Sequence, residues 1–267
     1  MSGPHVGRRD FIQISLAGLI AARIPGIAVR LKLHFVFPRD RGDFLNGALL
    51  GLDEAKRTAA LMGATIAMWH HENPGDLGAA HDAPLSAIIG GHDAESLAAL
   101  VTVAGARGAQ PVLNIAASGD ELRTSHCDDA VFHVVPNESM LSAASNASSG
   151  RDASVVPWHP SLFRYGAEQL NDRYRARHRG TAGMPADAWC AWMAVKILAE
   201  SALRSRASNG TELVAWMSSP RARFDGHKGV ALTFDQQRQL QQPLYAVSGD
   251  GRVLSEIPMQ DGAARCA

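Results

Sequence analysis

The sequence predicts an α/β protein built on a parallel sheet, and residues 85–122 carry most of that prediction. An apolar run at residues 85–89 stops at a Gly–Gly pair, a segment with apolar residues at helical spacing ends at Gly105, and a second apolar run covers residues 111–116. Neither run alternates apolar with polar residues, which is typical of strands buried on both faces. Two such strands joined by a helix form a parallel pair, and polar residues after each strand should share one rim of the sheet.

The preceding part of the sequence repeats this pattern. Residues 31–37 and 64–69 have the composition of buried strands, and residues 44–62 between them have apolar residues at helical spacing. A fifth short strand is predicted at residues 131–135. Strands that alternate with helices in this way predict a parallel α/β sheet.

The second half of the sequence begins with a change of character. Residues 141–154 are small and polar without periodicity, which predicts a linker or a flexible loop. Helices are predicted at residues 161–178 and 186–206, and the second is apolar around most of its circumference, which indicates burial. Three short strands are predicted near the end of the sequence: residues 230–234, 244–247 and 252–254.

Composition excludes several classes of function. Lys plus Arg and Asp plus Glu number 26 each, so the net charge of zero gives no basic field for nucleic acid. The sequence contains no G-x-S-x-G elbow, no G-x-G-x-x-G fingerprint and no Walker A motif. We therefore expect a protein that is not an enzyme, with no catalytic residues and no cofactor.

Residues 1–28 predict an export signal. Arg8 and Arg9 precede a short apolar run at residues 14–22, and small residues follow up to Ala28. This order resembles a twin-arginine signal peptide with cleavage near Ala28, and it predicts a periplasmic protein. The apolar run is shorter than the roughly 20 residues that a membrane span requires, so a permanent anchor is the weaker alternative.

The three cysteines have no C-x-x-C spacing, which excludes a zinc ribbon and a thioredoxin-type motif. Cys190 lies in the apolar helix and is expected to be a small core residue. An oxidising compartment would allow one disulfide, for which Cys127 and Cys266 are the candidate pair, although spacing alone does not show that they meet.

Several segments, in this order along the chain, carry a family resemblance: residues 87–100 (AIIGGHDAESLAAL), 111–122 (PVLNIAASGDEL), 114–140 (NIAASGDELRTSHCDDAVFHVVPNESM), 155–170 (VVPWHPSLFRYGAEQL), 224–235 (FDGHKGVALTFD) and 239–247 (QLQQPLYAV). They resemble the periplasmic solute-binding proteins of branched-chain amino acid ABC transporters. Within that family they are most similar to the subgroup associated with pyrroloquinoline quinone-dependent alcohol oxidation. The resemblance covers about residues 31–140 and 155–267.

The resemblance implies a type I periplasmic-binding-protein fold, in which two α/β lobes joined by crossing strands close on a small ligand. It implies a parallel, doubly wound first lobe at residues 29–140 after the signal peptide at 1–28. Residues 141–154 would be a linker that replaces much of the second lobe. Residues 155–267 would contain helices that return to the first lobe and a remnant of the second.

The resemblance also implies the ligand-binding residues. They lie in the loops after the third and fourth strands: His92, Asp93, Ala94, Glu95, Ala116, Ser118 and Asp120. Backbone N–H groups at the start of the helix after Gly91 would suit an anion. His92 and Asp93 stand where the family commonly has Ser or Thr, which argues against simple leucine-type recognition.

The implied function is that of a substrate-binding component that takes an amino acid, a small organic acid or an alcohol. An ABC permease is the possible partner, and neither nucleic acid nor a permanent membrane span is expected. The alternative is a non-transport accessory protein that keeps a degenerate binding fold.

A metal site is a further alternative, because His and acidic residues follow neighbouring predicted strands: His70, His71, Glu72, His81, Asp82, His92 and Asp93. Such groups bind Zn²⁺ when they converge. Their spacing matches no standard motif, so no residue is assigned to a metal.

Overall fold

A parallel five-stranded sheet forms the centre of the protein in the computed structural model, which describes residues 29–77, 86–108, 110–126, 130–148 and 153–259. Its strands are β1 (Arg30–Val36), β2 (Thr65–His71), β3 (Ser86–Gly90), β4 (Val112–Asn114) and β5 (Val131–His133). They pair in the order β2-β1-β3-β4-β5, and every pair is parallel. The predicted parallel sheet is confirmed.

Seven α-helices are found in the described residues, together with a 3₁₀ turn at Pro74–Leu77. They are α1 (Gly42–Leu61), α2 (Ala94–Gly105), α3 (Glu121–Ser125), α4 (Glu138–Ala147), α5 (Ala167–Arg177), α6 (Ala186–Ser205) and α7 (Gly210–Met217).

Helices cover both faces of the sheet. Leu33, Phe35 and Ile89 face a core built with α1 and α6, whereas Val36 and Ile88 face a second core built with α2. Successive strand residues point to opposite faces, so β1, β3, β4 and β5 contribute to both cores, whereas the edge strand β2 contributes Ile66 and Met68 to the first core. The predicted doubly wound arrangement is confirmed.

The helix α6 is buried nearly all round, as its composition predicts. Its two tryptophans, Trp189 and Trp192, are each 1% exposed or less. The indole N–H of Trp192 donates to the Glu54 carboxylate on α1 at 2.9 Å. The only polar atom of this buried side chain therefore has a hydrogen-bond partner. Cys190 is buried and free, as expected of a small core residue.

Six further strands complete the described chain: β6 (Ser154–Val156), β7 (Phe224–Asp225), β8 (Ala231–Phe234), β9 (Leu240–Gln241), β10 (Leu244–Val247) and β11 (Val253–Ile257). The strands β11-β10-β6 form an antiparallel sheet, and β7-β8-β9 form another.

A small second lobe consists of α4 and the sheet β11-β10-β6. Met140 and Ala144 of α4 pack with Leu244, Ala246 and Ile257 in a core separate from the two cores of the large sheet. The reduced second lobe is therefore present as one helix on one three-stranded sheet.

The structure corrects two predictions of secondary structure. Residues 141–147, predicted to lack regular structure, belong to α4, because the side chain of Asn137 caps the helix at the Met140 N–H (2.8 Å) and Met140 and Ala144 face a core. The helix predicted at residues 161–178 begins only at Ala167, because the backbone at Tyr165 and Gly166 has positive φ and cannot continue a helix. The division of the chain into domains stays a prediction.

One polar cluster joins the three places where the chain passes between the lobes. The buried Lys228 ammonium donates to the carbonyl oxygens of Pro157 and Pro243 and to the side-chain oxygen of Gln242. The Gln242 amide donates in turn to the Val134 carbonyl at 2.8 Å. All three crossing segments are therefore held by two side chains.

Within the described residues, no helix has the length and apolarity needed to cross a membrane. The predicted signal peptide at residues 1–28, the candidate disulfide of Cys127 with Cys266, and the pair His81 and Asp82 lie outside the described residues.

Candidate functional site

The two loops with the predicted ligand-binding residues lie side by side at one rim of the large sheet. The Ile115 N–H donates to the Gly90 carbonyl at 3.0 Å, and the Ala117 N–H donates to the Gly91 carbonyl at 2.9 Å. These bonds extend the pairing of β3 with β4 beyond the strand ends, so the loops share the rim that parallel topology predicts.

The first loop turns at Gly91, where φ is +81°. A Cβ atom there would lie 3.0 Å from the side-chain oxygen of Asn114, so both the backbone conformation and the space favour glycine. His92 follows, half-buried, with its ring edge against Phe37 (centroids 5.9 Å apart) and its Nε2 3.1 Å from the Asp93 carboxylate. His92 is therefore held at the rim by one apolar and one polar contact.

Asp93 is the N-cap of α2, since its carboxylate accepts from the Ser96 N–H at 2.8 Å. Ala94 and Glu95 form the exposed first turn of the helix. The anion-binding position that the sequence suggests at this helix is thus occupied by the protein's own carboxylate. A ligand carboxylate would have to compete with Asp93 there.

The second loop is joined to α4. The Asp120 carboxylate accepts from the N–H (3.1 Å) and the hydroxyl (2.5 Å) of Ser139, and the Ser118 carbonyl accepts from the Glu138 N–H at 3.0 Å. Ala116 and Ser118 are half-buried, and the Ser118 hydroxyl has no partner among the described residues. Of the predicted side chains in this loop, the Ser118 hydroxyl is therefore available to a ligand, whereas Asp120 is engaged.

The buried side chain of Arg123 bonds to backbone carbonyls of the second loop. The sequence had not indicated a role for this residue. It is 1% exposed and donates to the carbonyls of Ala117 and Gly119 (both 2.9 Å), to the Val135 carbonyl (3.0 Å) and to the Gln239 side chain (3.0 Å). Burial lowers the pKa of Arg123 to about 10. The guanidinium thus fixes the loop against the crossing segment at Val135.

Asn114 and His133 extend this support into the sheet. The Asn114 amide donates to the Ala117 carbonyl at 2.7 Å and lies 3.0 Å from His133 Nδ1, while its oxygen accepts from the Ala117 N–H at 3.0 Å. Burial, with the nearby Arg123, holds the pKa of His133 well below its ordinary value, so a neutral ring accepts from the amide. The sequence contained one signal for these two residues: each is a polar residue inside an apolar strand run, Asn114 in β4 and His133 in β5.

The other histidines near this rim have separate partners. His71 Nε2 lies 3.2 Å from His34 Nδ1, His70 Nε2 lies 2.8 Å from the Phe37 carbonyl, and Glu72 pairs with Arg39 at 2.6 Å. In the ranges that the structure describes, no three metal-ligating side chains come together.

Several solved structures share this fold. The branched-chain amino acid transporter substrate-binding protein LivJ from Streptococcus pneumoniae, in complex with isoleucine, aligns with a TM-score of 0.68 at 14% identity over 88% of this chain and 100% of its own. The leucine-binding protein LivK from Thermotoga maritima aligns with a TM-score of 0.66 at 10% identity over 86% and 99%. An ABC transporter solute-binding protein from R. palustris, in complex with benzoate, aligns with a TM-score of 0.67 at 12% identity over 89% and 99%.

No protein-family model and no curated protein sequence matches this sequence. The structural similarity therefore concerns the fold, and the strand order, the three crossings and the small second lobe agree with it. The chain has the type I periplasmic-binding-protein fold, with a second lobe reduced to one helix and three strands.

Proposed function

We propose that the protein is a periplasmic substrate-binding component of an ABC transporter of the branched-chain amino acid type, and that it binds a small organic ligand at the rim of the large sheet. The observation that carries this proposal is the pairing of the two loops through Gly91 and Ala117. In open parallel sheets, ligands bind outside the carboxyl ends of the strands. Proteins with the same fold hold isoleucine and benzoate.

The groups available to such a ligand are the His92 ring, the Ser118 hydroxyl and the exposed first turn of α2. A hydroxyl both donates and accepts a hydrogen bond, so Ser118 would serve an acid, an alcohol or an amine. Glu95 is exposed in that first turn and would repel a carboxylate placed beside it. We propose His92, Ala94, Ala116 and Ser118 as direct contacts and Asp93, Glu95 and Asp120 as the charged surroundings.

The reduced second lobe limits how tightly a ligand is held. An enclosing pocket buries 70–90% or so of a small ligand, and here the second lobe consists of only α4 and one three-stranded sheet. We therefore expect weaker binding than in a two-lobed protein of the same fold.

A role in quinone-dependent alcohol oxidation is a finer proposal, and it rests on the resemblance of residues 114–140 and 155–170 to that subgroup. It predicts that short alcohols or the acids formed from them are preferred over leucine. His92 and Asp93, in place of the usual small hydroxyl residues, agree with a ligand other than a branched-chain amino acid.

The second candidate is a non-transport accessory protein. The observation that favours it is that both aspartates of the predicted site already bond to the protein's own groups: Asp93 accepts from the Ser96 N–H in α2, and Asp120 accepts from Ser139 in α4. A degenerate fold would retain these bonds for stability alone.

A thermal-shift screen discriminates between the two candidates. The purified protein would be heated with amino acids, short alcohols, their acids and pyrroloquinoline quinone, since a ligand of the folded state raises the melting temperature by mass action. The transport proposal predicts a shift for one chemical class that Ser118→Ala and His92→Ala abolish and the exposed control Thr58→Ala keeps. The absence of any shift at millimolar concentration would support the accessory candidate.

A further inference from the structure

A cavity lies between the loop before α5 and the edge strand β11. It encloses about 250 Å³ and is lined by residues 161–165 and 253–256 with Ala167, His227 and Tyr245. It shares no lining residue with the two rim loops, so it is a place separate from the proposed ligand site.

Aromatic side chains form much of its wall. Phe163 is 66% exposed and Tyr165 is 57% exposed, whereas Tyr245 is buried. A ligand that covered Phe163 and Tyr165 would remove apolar ring surface from water, which is favourable. Their flat faces suit a planar ring.

The wall is rigid before any ligand arrives. Tyr165 and His227 both have positive φ (56° and 58°), a conformation that side-chain-bearing residues rarely adopt. Each ring lies over a glycine: a Cβ on Gly229 would lie 2.7 Å from the Tyr165 ring, and one on Gly166 would lie 2.6 Å from His227 Nδ1. His227 also stacks on Trp192 (centroids 5.6 Å apart), so little order has to be gained on binding.

Two opposite charges line the same cavity without neutralising each other. Arg164 lies over the Phe163 ring (5.6 Å from the centroid), and Glu256 is on β11. Among the residues that the structure describes, neither forms an ion pair. Both side chains are exposed and their charges are solvated by water; a ligand with one charge would pair with only one of them, whereas a zwitterion complements both.

We propose that this cavity binds an aromatic α-amino acid. The ring would lie against Phe163 and Tyr165, the carboxylate would pair with Arg164, and the ammonium would pair with Glu256. The volume is below the range of about 300–1,000 Å³ for drug-sized ligands, which favours a single ring. This site goes beyond the proposed rim site and does not depend on it.

Isothermal titration calorimetry with L-phenylalanine tests the proposal. We expect one site per chain, and we expect Arg164→Gln and Glu256→Gln each to weaken binding by about tenfold or more, since each removes a charged partner. Arg252→Gln is the matched control, because Arg252 is exposed, pairs with Asp250 and lies outside the cavity, so binding should not change. Phenethylamine and 3-phenylpropionate, which each lack one charge, should bind more weakly than L-phenylalanine.

The rim variant Ser118→Ala separates this site from the proposed transport site. If the proposal holds, Ser118→Ala binds L-phenylalanine like the unaltered protein. The proposal is wrong if no heat is released at millimolar L-phenylalanine. It is equally wrong if Ser118→Ala abolishes binding while Arg164→Gln and Glu256→Gln leave it intact.

Discussion

Gly47 of α1 lies directly against the backbone of Ala188 in α6, so close that a Cβ at position 47 would overlap the Ala188 carbonyl group. One turn later, Gly51 repeats the contact against Trp192. The two long helices therefore touch through their backbones over the first turns of α6.

We expect Gly47→Ala to lower the free energy of unfolding by about 2–4 kcal/mol, because the overlap outweighs the gain of about 1 kcal/mol in helix propensity. Gly42→Ala in the same helix is the control, since nothing lies within 4 Å of a Cβ there. Urea denaturation of both variants provides the measurement. Equal stability of the two would contradict the tight contact.

Replacing Lys228 with Met should destabilise the protein by about 3–5 kcal/mol, because three oxygen acceptors inside the protein would lose their donor. Lys56→Met, at an exposed position of α1, serves as the control and should change stability little. Thermal denaturation of both variants distinguishes them. A Lys228→Met protein as stable as the control would show that the crossings are held by other contacts.

Acidification should destabilise the protein through His133. Its folded pKa lies well below that of the unfolded chain, near 6.5, so the unfolded state binds the additional proton. The stability is fully present above pH 6.5 and falls as the pH decreases below it, by up to about 1.4 kcal/mol per pH unit. Chemical denaturation between pH 7.5 and 5 measures the free energy of unfolding at each pH. This free energy should fall less steeply with decreasing pH in His133→Gln than in the unaltered protein.

His159→Gln is the comparison for that slope. Burial also lowers the pKa of His159, but its ring is less deeply buried and its contribution should be smaller. A slope that is the same in His133→Gln and in the unaltered protein would assign the acid sensitivity to other groups.

Arg123→Met should loosen the second rim loop. The carbonyls of Ala117, Gly119 and Val135 would each lose a charged donor, and we expect a loss of about 3–5 kcal/mol in stability. Hydrogen exchange at residues 116–120 should accelerate more than exchange in α6. Uniform acceleration across the chain would mean that Arg123 stabilises the fold without fixing the loop.

The large sheet was predictable because its strands are buried on both faces and read as uninterrupted apolar runs. The strand from Ser86 to Gly90 is completely buried. The apolar run, the Gly–Gly pair and the apolar residues at helical spacing that follow it predict a strand, a turn and a helix in one short segment. The buried circumference of α6 was predictable for the same reason.

The helix and the first strand of the second lobe were harder to predict because they are short and bury few residues, whereas β10 is a buried apolar run and was predicted at residues 244–247. The helix α4 buries only Met140 and Ala144 in a core, with the partly buried Leu141 beside them, and its stability depends on the Asn137 cap and on Ser139, which bonds to Asp120. The bond between Ser139 and Asp120 joins positions 19 residues apart, and a local pattern does not reveal it. Arg123 was missed for the same reason, since its partner Gln239 is 116 residues away.

The cluster of Lys228 and Gln242 restricts how the protein could respond to a ligand. Any change in the angle between the lobes that separated the crossings at Val134, Pro157 and Pro243 would break a bond to one of these two side chains. The lobes should therefore keep a constant relative orientation, and any response would be confined to the rim loops. The radius of gyration from X-ray scattering should then be equal with and without a bound ligand.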